Sequence, residues 1–189
     1  MSTNFGTLIG SAALKSGLFG KKPAALEIYT EGIVLKYKNE DLALPFAEIS
    51  AIKSLNYFTP TPISYDFQIF NLDNAKVLDV SVPYTQLSGA TALLEAHMSF
   101  RLTEAFPQNL MHTDFILDDF VTWKNGKLYY KWKKGVKEFT PSQIDKFIEH
   151  KGTHAFTMKN SDETVGVSLT FAPNCLMTLA ICRAIADLS

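Results

Sequence analysis

Short stretches of the chain alternate apolar and polar residues. Leu26 and Ile28 alternate with Glu27 and Tyr29, and Ile33, Leu35 and Tyr37 alternate with Val34, Lys36 and Lys38. Further along, Tyr65, Phe67 and Ile69 alternate with Asp66 and Gln68, and Leu78, Val80 and Val82 with Asp79 and Ser81. A period of two predicts antiparallel strands with one buried face. Glu31-Gly32, Asn39-Glu40-Asp41 and Asp73-Asn74 supply turns between them. The second half repeats the pattern: Leu128, Tyr130 and Trp132 share one strand face, as do Val165, Val167, Leu169 and Phe171. Asn125-Gly126 is a strong hairpin signal, and Asn160-Ser161-Asp162 marks another turn.

Two segments carry helical periodicity instead. Leu87, Ala90, Thr91, Leu94, Met98 and Leu102 predict a helix over about residues 85–104, ended by Pro107. Residues 173–188 predict a second, with Pro173 suited to the first helical position. That helix is apolar almost all round, so it is expected to pack between the two halves or against a second copy of the chain. Thr140-Pro141-Ser142-Gln143 has the form of a capping box and predicts a short helical turn before a strand near residues 146–150.

The elements recur. Thr30-Glu31-Gly32-Ile33-Val34-Leu35 has a counterpart in Lys124-Asn125-Gly126-Lys127-Leu128-Tyr129, and Leu44-Pro45-Phe46-Ala47-Glu48-Ile49 in Phe139-Thr140-Pro141-Ser142-Gln143-Ile144. The offset is 94 residues from Gly32 to Gly126 and 95 from Ile49 to Ile144. A period this long points to duplicated domains, because solenoid units are shorter. The expected organisation is an N-terminal arm at 1–22, a first domain at 23–106 and a second at 112–189. Residues 58–63, with Pro60 and Pro62, read as a loop excursion of the first half alone.

The passages Ile28-Tyr29-Thr30-Glu31-Gly32-Ile33-Val34 and Leu44-Pro45-Phe46-Ala47-Glu48-Ile49 resemble the bacterial pleckstrin-homology-like (PH-like) domains, in a tandem arrangement. The second half keeps the outline, with Lys124-Asn125-Gly126 in place of the acidic turn. The resemblance implies a mainly β (α+β) fold: two PH-like β-sandwich or barrel units, each closed by a C-terminal α-helix. It also implies a binding scaffold for proteins, peptides or lipid headgroups and does not imply an enzyme; no cofactor is expected.

Composition refines this picture. At 189 residues, 47% hydrophobic and 20% charged, the chain has the make-up of a folded globular protein. The formal net charge of −1 makes nucleic acid an unlikely partner. No apolar run approaches the ~20 residues that span a bilayer, and residues 1–22 do not read as a signal peptide. A cytoplasmic location is expected, with peripheral membrane attachment as the alternative. As a surface helix, residues 4–22 would gather Phe5, Leu8, Ile9, Ala12 and Phe19, but Gly6, Gly10, Gly17 and Gly20 weaken it. Cys175 and Cys182, seven residues apart on a predicted helix, lie too far apart for a disulfide with each other and read as buried hydrophobes.

Charge is uneven locally. Lys124, Lys127, Lys131, Lys133, Lys134 and Lys137 fall within 14 residues and make up a third of the 18 basic residues. Alternation places Lys127, Lys131 and Lys133 on one strand face with Tyr129. These seven residues are the candidate ligand-binding set, for a phosphate group or an anionic membrane. In phosphoinositide-binding PH domains the corresponding hairpin does this work, although here no Arg offers a bidentate grip. The competing reading is a solvated face whose lysines keep a sheet edge from pairing. His150 and His154 lack a third metal ligand and read as exposed turn residues, and His97 as a partly buried, hydrogen-bonded helix residue. Asp118 and Asp119 are adjacent and fall on opposite strand faces if that stretch is extended, so they are not read as a general acid and base. Nucleotide-binding, serine-hydrolase and zinc-protease motifs are absent. The functional expectation is a non-enzymatic binding or adaptor module for a protein or peptide partner. The alternatives are binding to anionic lipid through the lysine hairpins, or a small-ligand carrier or enzyme with a pocket between the halves. Self-association through the last helix is a further expectation.

Overall fold

The computed structural model describes residues 5–14, 22–59, 62–105, 110–150, 153–170 and 172–189, and for 102–105 the backbone only. The protein is mainly β, with four antiparallel sheets and two α-helices among the described residues. It divides into two compact units: Met1–Tyr57 with Thr61–Phe106, and Phe58–Pro60 with Pro107–Ser189.

The first unit begins with a four-stranded meander, β1 (Leu8–Ala13), β2 (Ala25–Tyr29), β3 (Gly32–Lys36) and β4 (Asp41–Pro45). A 3₁₀ turn, Phe46–Glu48, leads into a three-stranded meander of β5 (Ile49–Ser54), β6 (Ser64–Asn71) and β7 (Lys76–Pro83). Helix α1 (Leu87–Ala105) follows a second 3₁₀ turn, Tyr84–Gln86. The alternation works as the period predicts. Leu26 and Ile28 are fully buried and pair across the sheet with Leu35 and Ile33, while Phe67 pairs with Val80 and Ile69 with Leu78. Each large side chain removed from water in this way contributes about 1.5–3 kcal/mol.

Within the segment expected to form an N-terminal arm, Leu8–Ala13 is the edge strand β1, paired with β2 from Leu8↔Tyr29 to Ala13↔Ala25. No amphipathic surface helix forms over these residues. Gly10 on β1 and Gly89 on α1 serve the close packing of these two elements instead. A Cβ on Gly89 would stand 2.7 Å from the Ala12 Cβ, and one on Gly10 would stand 2.8 Å from the Ala92 Cβ. Helix α1 also packs on β2 and β7. His97, 2% exposed, sits edge-on to Phe46 with its Nε2 3.3 Å from the Ile49 carbonyl.

The second unit has the same order of elements. A four-stranded meander comprises β8 (Phe115–Ile116), β9 (Val121–Lys124), β10 (Lys127–Trp132) and β11 (Gly135–Phe139). The 3₁₀ turn Pro141–Gln143 then precedes β12 (Ile144–His150), β13 (Thr153–Met158) and β14 (Thr164–Gly166), and α2 (Cys175–Ala186) comes last. The capping box is present, with the Thr140 N–H donating to Gln143 Oε1 at 2.8 Å. Asn125 and Gly126, at φ 51° and 68°, form the left-handed pair that a tight two-residue hairpin requires.

The second unit's core contains Trp123, Leu128, Ile144, Phe156, Val165, Cys175, Cys182 and Ile185, all 0% exposed. Helix α2 packs on β12, and Arg183 forms a bidentate pair with Glu149, both N–O distances being 2.7 Å. Its buried residues, Cys175, Thr178, Leu179, Ile181, Cys182 and Ile185, form one face. Leu176, Met177 and Ala180 remain half-exposed.

Candidate functional site

An open groove in the second unit begins with two short strands. Where β1 runs for six residues, β8 has two; where β7 runs for eight, β14 has three. In the first unit α1 packs on both β1 and β7, whereas α2 packs on β12. Among the described residues, the corner formed by the loop after β8 and the end of β14 is less covered than its counterpart, on which β1 and α1 pack. A groove of about 970 Å³ lies there.

Asp118 shapes this corner. It is 3% exposed, and its Oδ1 accepts the backbone N–H groups of Phe120 and Val121, each at 2.7 Å. Its Oδ2 accepts the Ser168 N–H at 2.6 Å, bridging the loop after β8 to the chain leaving β14. Asp119 is exposed, so the two adjacent carboxylates do separate in environment. One wall of the groove carries Phe120, Tyr130, Lys131, Trp132 and the Lys133-Lys134 turn. The other carries Thr153 and His154 at the start of β13, and Gly166, Val167 and Ser168 at the end of β14.

The candidate lysines are split by the end of β10. Trp132 pairs with Gly135, so Lys133 and Lys134 form a two-residue turn, and Gly135 takes φ 140°. Lys133 therefore does not continue the strand face of Lys127, Tyr129 and Lys131, as the alternation suggested. Lys131, Lys133 and Lys134 line the groove. Lys137 stands beside the indole on the neighbouring strand: its Nζ lies 4.8 Å from the Trp132 ring centroid, and that of Lys134 lies 5.8 Å away. Lys137 is also bonded to Glu163. The ring and its two cations form a cation–π arrangement that holds a 39%-exposed Trp in place. Lys127 is turned away, paired with Glu138 at 3.0 Å, and that hydrogen bond raises its pKa. Tyr129 lies opposite Glu138, half-buried, and Lys124 is exposed opposite Lys127. The structure thus gathers three of the seven candidates at the groove and leaves four outside its lining.

Several lining residues were missed. Asp118 followed two residues later by Phe120 N–H is an Asx turn, a legible signal that the paired-acid reading passed over. His154 gave no local signal, because it reaches the groove through strand pairing. It is 9% exposed, not the exposed turn residue expected, and lies edge-on to Phe58 at 5.3 Å and stacked on Phe147 at 6.4 Å. No group of three or more His, Cys, Asp or Glu side chains that would hold a metal occurs among the described residues. Burial pushes the Cys175 thiol up to about 12 and raises that of Cys182 further, which removes both from nucleophilic chemistry at neutral pH. No helix among the described residues is long and apolar enough to cross a membrane.

The groove is thus an open, cationic, aromatic-walled concavity beside a sheet edge. No protein-family model matches the chain, and no curated protein matches it.

Proposed function

We propose that the protein is a non-enzymatic binding module of two PH-like β-sandwich units, each ending in a closing helix, and that the second unit receives a protein or peptide partner in its groove. The repeated order of four-stranded meander, 3₁₀ turn, three-stranded meander and helix supports the PH-like reading. The groove carries the functional reading: Phe120 and Trp132, 54% and 39% exposed, offer apolar anchors beside Lys131, Lys133 and Lys134. Partly exposed aromatics beside fixed charges are the composition of binding hot spots.

A photo-crosslinking residue placed at position 134 of the full chain tests this. A protein adduct should form in the cell, and Trp132→Ala should abolish it. If no protein is trapped, or trapping is indifferent to Trp132, the reading fails.

The same lysines favour a second reading, attachment to anionic lipid. Sedimentation with phosphatidylserine vesicles, lost on reversing Lys131, Lys133 and Lys134 to Glu, is its expected result. Equal sedimentation of wild type with neutral vesicles removes it.

A further inference from the structure

We infer that the groove takes an acidic polypeptide segment in extended form, added as a fourth strand along the outer edge of β14. This rests on the peptide-binding reading above and specifies the partner's chemistry and its mode of attachment.

The hydrogen-bond parity of β14 sets the direction of its free groups. The Val167 N–H donates to the His154 carbonyl at 2.8 Å, and the Met158 N–H donates to the Glu163 carbonyl at 3.2 Å. Val165 is registered opposite Phe156 between them. Residues 163, 165 and 167 therefore turn their backbone groups toward β13, and 164, 166 and 168 turn theirs outward. The outward Ser168 N–H is taken by Asp118. Beyond β14 no further strand is paired, so Thr164 and Gly166 present an open edge among the described residues. Gly166 lines the groove, and a Cβ built on it would meet nothing within 4 Å.

Charge selects the incoming chain. Lys131, Lys133 and Lys134 face the groove, while the Asp118 carboxylate that lines it is already engaged by three backbone N–H groups. Carboxylates at alternate positions of an added strand project to one side, as strand geometry requires, and find cations there. A membrane surface fits less well, because the lysines border a concavity and a lipid headgroup layer offers no backbone to complete a sheet edge. The first unit shows the corresponding position filled from within: its longer β7 packs against β1 and α1. Strand addition is an established way to occupy such an edge, with main-chain bonds giving affinity and side chains giving choice.

The test uses the full chain, nitrogen-15 labelled, with three probes: a short peptide alternating Glu and Val, its Lys–Val counterpart, and phosphatidylserine vesicles. The acidic peptide should shift the Thr164 and Gly166 amide resonances and slow their solvent exchange, and its affinity should fall with salt. Reversing Lys133 and Lys134 to Glu should weaken it about tenfold or more. Gly166→Pro removes the outward N–H and should weaken binding, whereas Gly166→Ala should not. Should the proline variant misfold, the lysine reversals and the amide shifts still decide.

Equal binding of the Lys–Val peptide, or acidic-peptide binding that leaves Gly166 unmoved, overturns the inference, as does binding to vesicles alone. If both peptides fail while the position-134 protein adduct persists, strand addition falls and the peptide-module reading stands. If the adduct is also absent, both fall.

Discussion

Replacing Asp118 tests the architecture of the groove most directly. Three backbone N–H groups converge on this one buried carboxylate, at 2.7, 2.7 and 2.6 Å. A hydrogen bond to a charged acceptor contributes about 1.5–3 kcal/mol, and an orphaned buried donor costs a similar amount. Simple addition overstates the loss, because the exposed Phe120 lets water reach its own N–H once the carboxylate is gone. Asp118→Ala should therefore destabilise the second unit by about 3–5 kcal/mol. Asp118→Asn keeps one oxygen for the Phe120 and Val121 donors, but sets an amide N–H against the Ser168 N–H. Its cost should be smaller, about 2–3 kcal/mol.

The chain supplies its own reporter for this experiment. Its two tryptophans, Trp123 and Trp132, both lie in the second unit, so urea unfolding followed by tryptophan emission reads that unit. With an m-value of about 1 kcal/mol/M, the alanine variant should lower the midpoint by about 3–5 M. Trp123, fully buried, carries the emission shift, and the exposed Trp132 reports the groove. A loss below about 1 kcal/mol for both variants would show that Asp118 does not hold the corner together, and the account of the groove's rigid wall would go with it.

Three further outcomes follow from the packing and the ionisable groups. Gly89→Ala gains about 1 kcal/mol in helix propensity, yet its Cβ would lie 2.7 Å from the Ala12 Cβ and 3.1 Å from the Ser11 carbonyl oxygen, neither of which can swing aside. The net effect on the first unit should be destabilising, so a raised thermal midpoint would contradict the packing. Cys175 and Cys182, with thiol pKa values driven upward by burial, should resist iodoacetamide at neutral pH in the native protein and react fully in urea, as read by intact mass. Glu149 has its pKa lowered below the ordinary 4.5 chiefly by the hydrogen bonds from Arg183. A lowered folded value stabilises above the unfolded pKa, and the contribution disappears as pH falls through the folded value. Both partners are partly exposed, so it is worth under about 1 kcal/mol. Glu149→Gln should cost that much at neutral pH and remove this part of the acid-side slope, and an unchanged slope between about pH 5 and about pH 3 would dispute the assignment.

Much of the fold was legible because periodicity reports burial. Leu26, Ile28, Ile33 and Leu35 alternate in the sequence and are fully buried in the sheet. Asn125-Gly126 and Thr140-Pro141-Ser142-Gln143 were legible for a different reason: their conformations are set by local chemistry, a positive φ in one case and a short side-chain-to-backbone bond in the other. The groove was not legible, because it forms where burial and backbone pairing part company. Val165, Val167 and Leu169 alternate as one strand would, and all three are buried, yet β14 stops at Gly166. The Ser168 N–H goes to the Asp118 carboxylate and not to a neighbouring strand. On the opposite wall the lysine alternation runs past Trp132, but the chain has already turned there. A period of two cannot distinguish a residue buried in a ladder from one buried beside its end. An unpaired edge is defined by bonds that are not made within the sheet, and these depend on which distant side chain arrives first. Asp118 and Ser168, fifty residues apart, take up the outward N–H next to Gly166 and so bound the open edge on that side.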